Sequence, residues 1–430
     1  MKSIRNMFLT ITFFVAFLLN ANAQNIFLKQ SNESGIYKSG ENIRVTAFLN
    51  GLISDSVSVR ILKNYNEIQN KKIKLTGDSL VIFNENPDEA VSMIFEVRAA
   101  DQLVSTGLVV DPEKFQPGTD RPKDFKKYWK QEKKALHSLP MELKSETVEN
   151  TDINFDCSNI EINCTAPKPV RGYFAKPKNA APKSLPIVLF VHAAGVKGSW
   201  CLARPETAVN YAKMGNGALA FDLNAHGMLN GQPQGYYDDL EAGELKGYFY
   251  RGLENRDELY FRGMYLRLMR TLDFLTSQPE WDGKRIIVIG ESQGGGQALA
   301  AAGLDNRVSA VVATVPAMCD WGGTLAGRKG GWPQPFSQPG DKQKMMQTLP
   351  YFDAAHLLKN SKATIVTEIG FVDFTCPSNS IYAAVNQSEG KKIILGVPYR
   401  GHQLDQKQFQ KVWQETVYQP KMKFIEDFLK

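Results

Sequence analysis

Ile286-Ile287-Val288-Ile289-Gly290-Glu291-Ser292-Gln293-Gly294-Gly295-Gly296 is the stretch of sequence that decides the fold of this 430-residue chain. Its four leading apolar residues are typical of a buried strand, and the alanine-rich residues 297–302 that follow are typical of a helix. A G-x-S-x-G sequence between a strand and a helix predicts a nucleophile elbow, which holds a serine on a strained turn between small neighbours. We therefore interpret Ser292 as a catalytic nucleophile rather than as a structural serine in a glycine-rich turn.

Strand-like and helix-like segments alternate along the C-terminal three-quarters of the chain. Met264, Leu268, Leu272 and Leu275 repeat at helical spacing, as do the apolar residues between positions 424 and 429. Residues 187–191 form an unbroken apolar run, which is expected where a parallel sheet is covered on both faces, and mostly apolar runs at residues 218–223, 308–315, 364–369 and 393–397 are similar. The alternation predicts an α/β fold, a doubly wound and mostly parallel sheet with the active-site loops at its carboxyl edge.

Residues 24–115 have a different, all-β texture. Apolar side chains alternate with polar or small ones at residues 43–49, 57–61 and 93–97. Period-two alternation places one face of each strand on a core and the other in water, so we predict a smaller N-terminal, β-sandwich-like domain. We expect this domain to act as a spacer or packing partner, and carbohydrate binding is the alternative. Residues 111–122 are rich in Pro, Gly and charge and form the predicted linker, and residues 116–430 form the catalytic domain.

Residues 1–23 are typical of a secretory signal peptide. Basic Lys2 and Arg5 precede an apolar run at residues 7–19, which is too short to cross a bilayer comfortably, and small residues end at Ala23. We expect cleavage after Ala23 and a mature protein in the periplasm or outside the cell, without a membrane segment. Loss of the two basic residues lowers the formal net charge from +6 to 6 − 2 = +4.

The remaining charge and the cysteines exclude some partners and sites. No basic run is dense enough for a nucleic-acid footprint, so we expect no nucleic-acid partner. Two of the five cysteines, Cys157 and Cys164, either form a disulfide across a hairpin or stay unpaired. No group of cysteines and histidines has the spacing of a zinc site, and the sequence predicts neither a metal nor a cofactor.

A serine nucleophile needs a base, and His402 is the predicted one. Triads built on this elbow run along the chain in the order serine, acid, histidine, and His402 follows the last predicted strand. His226, in the loop after residues 218–223, is the alternative base. The other three histidines receive different assignments: His192 shapes the oxyanion loop, His137 lies at the surface and His356 takes part in packing.

Asp373 is the predicted acid because it follows residues 364–369, the strand before the one that leads to His402. A buried carboxylate there would hold the imidazole in one tautomer and stabilise the imidazolium. Asp320 follows an earlier strand and is expected to be structural. Two backbone N–H groups should bind the oxyanion, and we assign them to Gln293, directly after the nucleophile, and to Ala194, in the loop after the first buried strand.

These motifs together resemble the acetyl xylan esterase / cephalosporin-C deacetylase family, carbohydrate esterase family seven. The serine motif at residues 290–295 and the acid motif with its Cys-Pro pair at residues 370–377 are similar to the landmarks of that family. Residues 318–320 and 382–386 are similar to two others, and the likeness begins near Arg121 and runs to the C-terminus.

Three positions depart from the usual residues of the family. Residues 224–227 replace an Arg-Gly-Gln motif, Ala193 and Ala194 replace Gly-Tyr, and Gln403 replaces a glutamate. The resemblance implies an α/β-hydrolase that removes acetyl groups from small acetylated carbohydrates such as xylo-oligosaccharides, without a cofactor and often as a homo-oligomer. Two alternatives stay open: a serine peptidase of the prolyl oligopeptidase type, and a non-catalytic glycan-binding protein on a hydrolase scaffold.

Overall fold

The computed structural model describes residues 25–50, 54–99, 102–149 and 152–430. The predicted signal peptide, residues 1–23, lies outside the described residues. Two structural parts follow each other along the described chain, one built from antiparallel sheets and one from a mostly parallel sheet with helices.

Within the described ranges, eight strands form two sheets in the N-terminal part. They are β1 (Asn25–Gln30), β2 (Ile36–Tyr37), β3 (Ile43–Asn50), β4 (Ser56–Lys63), β5 (Asn66–Lys74), β6 (Ser79–Glu85), β7 (Val91–Ala99) and β8 (Gln102–Val110). The strand orders are β1-β3-β6 and β2-β8-β7-β4-β5, and neighbours are antiparallel except that β2 runs parallel to β8. Ile43, Val45, Ala47 and Leu49 point into the core between the sheets, which confirms the predicted all-β N-terminal part.

Nine strands of the described chain form a third sheet, in the C-terminal part. They are β9 (Leu143–Thr147), β10 (Phe155–Ile162), β11 (Val170–Pro177), β12 (Leu185–Val191), β13 (Leu219–Leu223), β14 (Trp281–Glu291), β15 (Ala310–Thr314), β16 (Thr364–Gly370) and β17 (Lys392–Val397). The order is β17-β16-β15-β14-β12-β13-β11-β10-β9, parallel from β17 to β13 and antiparallel beyond it. This sheet confirms the predicted α/β class.

Ten α-helices of the described chain lie around the nine-stranded sheet. They are α1 (Phe125–Ser138), α2 (Pro205–Ala212), α3 (Gln234–Ala242), α4 (Tyr260–Thr276), α5 (Gln293–Leu304), α6 (Lys342–Thr348), α7 (Ala354–Leu357), α8 (Ser378–Val385), α9 (Gln410–Trp413) and α10 (Gln419–Leu429). Ile286 and Val288 of β14 share a core with α4 and α5, whereas Ile287 and Ile289 share one with α2 and α10. Successive strand residues point to opposite faces, so one apolar strand supplies both cores. Within the described ranges, none of the helices has the length and apolar character needed to cross a membrane.

The predicted linker packs against the catalytic part. Phe115 is 2% exposed and belongs to the main core. The side-chain amide of Asn386 donates to the carbonyls of Pro112 and Phe115 at 2.9 and 3.1 Å. The N–H of Gly107 in β8 also donates to the carbonyl of Pro398, at 2.7 Å. The two parts therefore meet through a continuous set of contacts.

Cys157 and Cys164 are both free. Cys157 belongs to the core shared with α2 and α10, whereas Cys164 packs against the core shared with α4 and α5. The two thiols thus face opposite sides of the sheet, a geometry that a disulfide cannot bridge. The open question of this pair is resolved in favour of unpaired thiols.

Candidate active site

The turn between β14 and α5 holds Ser292 in a strained conformation. Its backbone angles are φ 54° and ψ −119°, a region that residues with a side chain rarely adopt. A Cβ atom at Gly290 would collide with the backbone of Gly294, and one at Gly294 would collide with the carbonyl of Val191. Only glycine lets strand and helix approach this closely, so the elbow predicted from the sequence has a steric reason.

Three loops bring their side chains together at the carboxyl edge of the sheet. The Nε2 atom of His402 lies 3.0 Å from the Oγ atom of Ser292, and its Nδ1 atom lies 2.8 Å from Oδ2 of Asp373. Ser292 is 7% exposed and Asp373 is fully buried, whereas the imidazole is partly open to solvent. Serine, histidine and aspartate therefore form one hydrogen-bonded relay with an accessible end.

The carboxylate of Asp373 is held by its own loop. Its Oδ1 atom accepts hydrogen bonds from the backbone N–H groups of Thr375 and Cys376, each at 2.8 Å. That leaves Oδ2 free to accept from His402. Backbone donors stabilise the charged form of a buried carboxylate and fix its orientation, so the imidazole is offered one oxygen in one direction.

The two residues assigned to the oxyanion follow the carboxyl ends of two neighbouring strands, β12 and β14. Gln293 is the first residue of α5, where backbone N–H groups have no partner within the helix. Its side-chain carbonyl accepts a 2.6 Å hydrogen bond from the hydroxyl of Tyr248. Ala194 follows β12, which pairs with β14, so both residues leave the same edge of the sheet. The carbonyl of Ala194 accepts from the indole of Trp200 at 3.0 Å, which fixes the peptide group between Ala194 and Gly195.

Structural roles account for the other four histidines. Nδ1 and Nε2 of His226 lie 2.7 and 2.9 Å from the Tyr260 hydroxyl and the Gly195 carbonyl, so the alternative base is engaged away from Ser292. The other three histidines contact polar groups elsewhere. His192 is hydrogen-bonded to Asp222 and to the Trp200 carbonyl, His356 is hydrogen-bonded to Thr119, and His137 lies next to Asp273. His192 thus shapes the loop after β12, and His356 packs inside the protein.

Replacing His226 with glutamine should make the folded state more resistant to acid. Burial, aided by Arg267, lowers the pKa of His226 to about 3 from an ordinary 6.5. Between these values the unfolded chain binds a proton that the folded chain does not, so stability falls as the pH falls. As the pH is lowered, we expect the unfolding free energy of the variant to fall less steeply than that of the unmodified protein. The two slopes should differ by up to about 1.4 kcal/mol per pH unit.

Urea unfolding of both proteins at several pH values between 7.5 and 4 measures this difference. Near pH 7.5 the imidazole is largely neutral in both states, and the two curves should run nearly parallel there. Parallel curves below pH 6 would contradict the explanation.

Asp373, Cys376 and His402 form the single group of potential metal ligands found among the described residues, with ligand atoms within 4.8 Å of one another. Both imidazole nitrogens of this group are already hydrogen-bonded within the relay. Burial and the neighbouring Asp373 raise the pKa of the Cys376 thiol well above its usual range. Since the thiolate is the form that binds metal, the donor set suits a hydrogen-bonded relay better than a metal centre.

A buried ion-pair network lies beneath the relay. The carboxylate of Glu368, which is fully buried, accepts hydrogen bonds from Arg400, from the Trp413 indole at 2.6 Å and from Lys421 at 2.7 Å. Arg400 also lies 3.5 Å from Glu291, the residue before Ser292. The network joins β16, the elbow and the loop that carries His402. Removing one member would leave an uncompensated buried charge, which typically costs about 3–5 kcal/mol.

The N-terminal part contributes a buried tyrosine next to the acid. Tyr65 lies at the turn between β4 and β5, and its hydroxyl accepts a 2.8 Å hydrogen bond from the backbone N–H of Ser378. Ser378 begins α8, whose preceding residue, Pro377, offers no side-chain cap. The Tyr65 ring also packs edge-on against Phe374, directly after Asp373. A residue from the β domain therefore caps the helix that ends the acid loop, residues 371–378.

Replacing Tyr65 with phenylalanine should loosen the acid loop. The change leaves the N–H of Ser378 without its buried acceptor, which costs about 1–3 kcal/mol of unfolding free energy. We expect kcat to fall several-fold with little change in KM, because Tyr65 acts through the loop that carries Asp373. Steady-state kinetics with an acetyl ester, together with denaturant unfolding, measure both effects.

Tyr418→Phe is the matched control, because Tyr418 is 37% exposed and lies outside the acid loop. Equal effects of the two substitutions would show that the cap has no special influence. Neither Tyr65 nor Tyr248 was singled out by the sequence. Both act across long chain separations, and neither belongs to a local motif that predicts contact with the site.

Comparison with known proteins identifies similar chains. The acetyl xylan esterase (AXE1) family matches residues 110–421. The acetyl esterase Axe7A of Xylanibacter ruminicola is 31% identical over 296 residues, which are 68% of this chain and 66% of that protein, slightly under two thirds of its length.

Two solved structures have the same fold over most of the chain. The acetyl xylan esterase from Paenibacillus sp. R4 has a TM-score of 0.59 and 25% sequence identity, and the match covers 74% of this chain and 98% of that one. Acetyl xylan esterase 1 from Thermoanaerobacterium sp. JW/SL YS485 has a TM-score of 0.56, 21% identity and the same two coverages.

Proposed function

The chain belongs to the acetyl xylan esterase (AXE1) family, a family of carboxylic ester hydrolases, and on that premise we propose that it removes acetyl groups from small acetylated sugars. The family resemblance predicted from the sequence is thereby confirmed. The observation that carries the proposal is the relay, with Ser292, His402 and Asp373 joined by hydrogen bonds of 3.0 and 2.8 Å.

The proposed reaction is a two-step acyl transfer. The Oγ atom of Ser292 attacks the ester carbonyl while Nε2 of His402 accepts its proton. The imidazolium that forms donates from Nδ1 to Asp373, whose buried charge stabilises it. As the bond between the acyl carbon and the sugar oxygen breaks, the same proton passes to that oxygen, and the sugar leaves with a free hydroxyl. Water, activated by His402, attacks the acetyl-serine and releases acetate. No cofactor takes part in either step.

Backbone N–H groups of Gln293 and Ala194 are proposed to bind the oxyanion. Gln293 begins α5, so the positive end of the helix dipole also faces the developing charge. One such donor typically contributes about 2.7–4 kcal/mol of transition-state stabilisation. The Tyr248 hydroxyl bonded to the Gln293 side chain supports this geometry, because it fixes the first turn of α5.

A cavity beside the loop after β12 supports a small substrate. It has a volume of about 350 Å³ and lies between Ala194, Val196, Leu245, Tyr248 and Phe249. This volume is near the lower end of the range for small-molecule sites. The lining also includes the charged residues Glu241 and Lys246. A small cavity with apolar, aromatic and polar walls next to the proposed oxyanion donor suits an acetylated sugar unit better than a long peptide.

Acetate release across a panel of acetylated xylo-oligosaccharides, acetylated monosaccharides and acetylated pectin tests the proposal. We expect turnover of acetylated oligosaccharides and none of a proline-containing peptide, the substrate class of the prolyl oligopeptidase alternative. A fluorophosphonate probe should label Ser292. Binding of the glycans without acetate release or labelling would favour the non-catalytic alternative instead.

The proposal includes export, which depends on residues 1–23. Protein purified from the producing cell should begin at Gln24. An N-terminal sequence that starts at Met1 would overturn this part alone.

A further inference from the structure

A long groove with a strongly basic lining lies away from the relay. It has a volume of about 1390 Å³ and runs between α1, the end of α5 and residues 359–363. The α1 side contributes the side chains of Arg121, Lys126, Lys130, Lys133 and Lys134. The opposite side contributes Lys359 and Lys362. The residues that line the groove include no aspartate or glutamate.

None of these seven cations forms an ion pair with a carboxylate of the described residues. Asp273 and Asp305, the carboxylates whose charge reaches Lys133, are bound by Arg307 at 2.7 and 2.6 Å. Glu132 of α1 is bound by Arg262, at 2.9 Å. Lysine side chains one helical turn apart repel each other. Because the nearby carboxylates are already paired with arginines, the cluster lacks a counter-charge.

Two of the cations are also partly withdrawn from water. Burial lowers the pKa of Arg121 and that of Lys133. The guanidinium of Arg121 lies 4.0 Å from the centre of the Phe125 ring, and its buried Nε atom has no hydrogen-bond partner. The ammonium of Lys133 donates to the carbonyl of Leu304 at the end of α5. An anion in the groove would restore the interactions that burial removes.

The spacing of the charges indicates an extended ligand. Lys126, Lys130 and Lys133 with Lys134 occupy one face of α1, which His137 continues. The eleven steps from Lys126 to His137 correspond to roughly 16 Å along the helix axis at about 1.5 Å per residue. A single phosphate or acetate would meet a fraction of this row, whereas a chain with repeated negative charges meets all of it.

The groove lies at the opposite edge of the sheet from the relay. Ser309 and Ala363, which line it, directly precede the amino ends of β15 and β16. Ser292 and Asp373, by contrast, follow the carboxyl ends of β14 and β16. A polymer in the groove therefore leaves the acyl site free.

We propose that this groove binds an acidic polysaccharide through the carboxylates of its uronate units, and thereby holds the enzyme on a charged glycan. Nucleic acid suits it less well, because the lining aromatic rings of Phe125 and Trp129 are 4% and 3% exposed and present no face for base stacking. The choice of a glycan among anionic polymers rests on the proposed function, whereas the anion site rests on the groove alone.

The test measures binding of polygalacturonic acid to the full chain and to the variant Lys126→Glu/Lys130→Glu/Lys134→Glu. These three side chains are exposed, so the variant should fold. Lys71→Glu/Lys72→Glu/Lys74→Glu on β5 is the control, since it changes the net charge equally at exposed positions that lie outside the groove. We expect the groove variant to bind at least tenfold more weakly at low salt, with a smaller salt dependence.

The control variant should bind like the unmodified protein, and all three proteins should hydrolyse a small acetyl ester equally well. Equal weakening by both variants would overturn the groove assignment. If a DNA duplex or phosphatidylglycerol vesicles bind more tightly than polygalacturonate, the assignment of an acidic polysaccharide as the ligand is wrong. If the protein binds polygalacturonate but lacks esterase activity, the proposed function alone is wrong. If it has esterase activity but does not bind polygalacturonate, the groove proposal alone is wrong.

Discussion

Replacing Ser292 with alanine should lower kcat for p-nitrophenyl acetate by a factor on the order of 10⁴ to 10⁶ and leave a folded protein. The Oγ atom of Ser292 is the sole hydroxyl bonded to Nε2 of His402 among the described residues. Without it no acetyl-serine forms, and attack by water aided by the oxyanion donors is all that remains.

Stability should change little in this variant. Alanine must adopt the same φ of 54° that serine adopts in the unmodified protein. The hydrogen bond from the backbone N–H of residue 292 to the carbonyl of Thr314, at 2.9 Å, is retained. Thermal unfolding and steady-state kinetics on the same preparation separate the two effects. Ser277→Ala is the matched control, because its hydroxyl lies at the end of α4 and bonds only locally, to the carbonyl of Phe274.

The nearby Cys376 provides a second comparison. Its thiol lies beside Ser292, but burial raises its pKa well above the usual range, so it is a poor substitute nucleophile. Turnover of Ser292→Ala at the level of the unmodified enzyme would refute the assignment of the nucleophile. In that case, loss of activity in Cys376→Ala would identify the thiol instead.

Replacing Asp373 with asparagine should reduce kcat by about 10⁴-fold. The side-chain amide can keep one oxygen for the N–H groups of Thr375 and Cys376, so the acid loop stays in place. Its NH₂ group then faces Nδ1 of His402, which must accept rather than donate. The proton moves to Nε2, and the imidazole is no longer a base toward Ser292.

Asp320→Asn distinguishes this effect from the loss of any buried carboxylate. Asp320 is buried, accepts from the N–H of Gly118 at 2.7 Å and pairs with Arg328 at 2.8 Å. We expect that variant to lose stability while its kcat stays within about tenfold of the original. Comparable kcat losses at positions 373 and 320 would argue against Asp373 as the acid of the relay.

Much of the fold follows from local patterns. The elbow at residues 286–296, the buried runs of the parallel strands and the period-two runs of the N-terminal part each predict the element that the structure contains. Local patterns succeed here because strand burial, helix periodicity and the steric demand at Gly290 and Gly294 depend on a few neighbouring residues.

The candidate site was predictable for a related reason. Once Ser292 lies on an elbow, the parallel topology places the ends of later strands along the same edge, and Asp373 and His402 follow two of those ends. Chain order thus selects the partners. Chain order favoured His402 over His226, although the sequence does not reveal that Gly195 and Tyr260 engage the second imidazole.

The sequence by itself determined the fold class, the family and the three side chains offered to the relay, because each depends on short-range patterns and on chain order. The tertiary structure alone decided three things: that Cys157 and Cys164 face opposite sides of a sheet, that Tyr65 caps a helix 313 positions away at Ser378, and that scattered lysines line one groove. Contacts of this kind depend on how helices and strands that are distant in the sequence pack against each other. A local sequence pattern does not predict which of their surfaces come into contact.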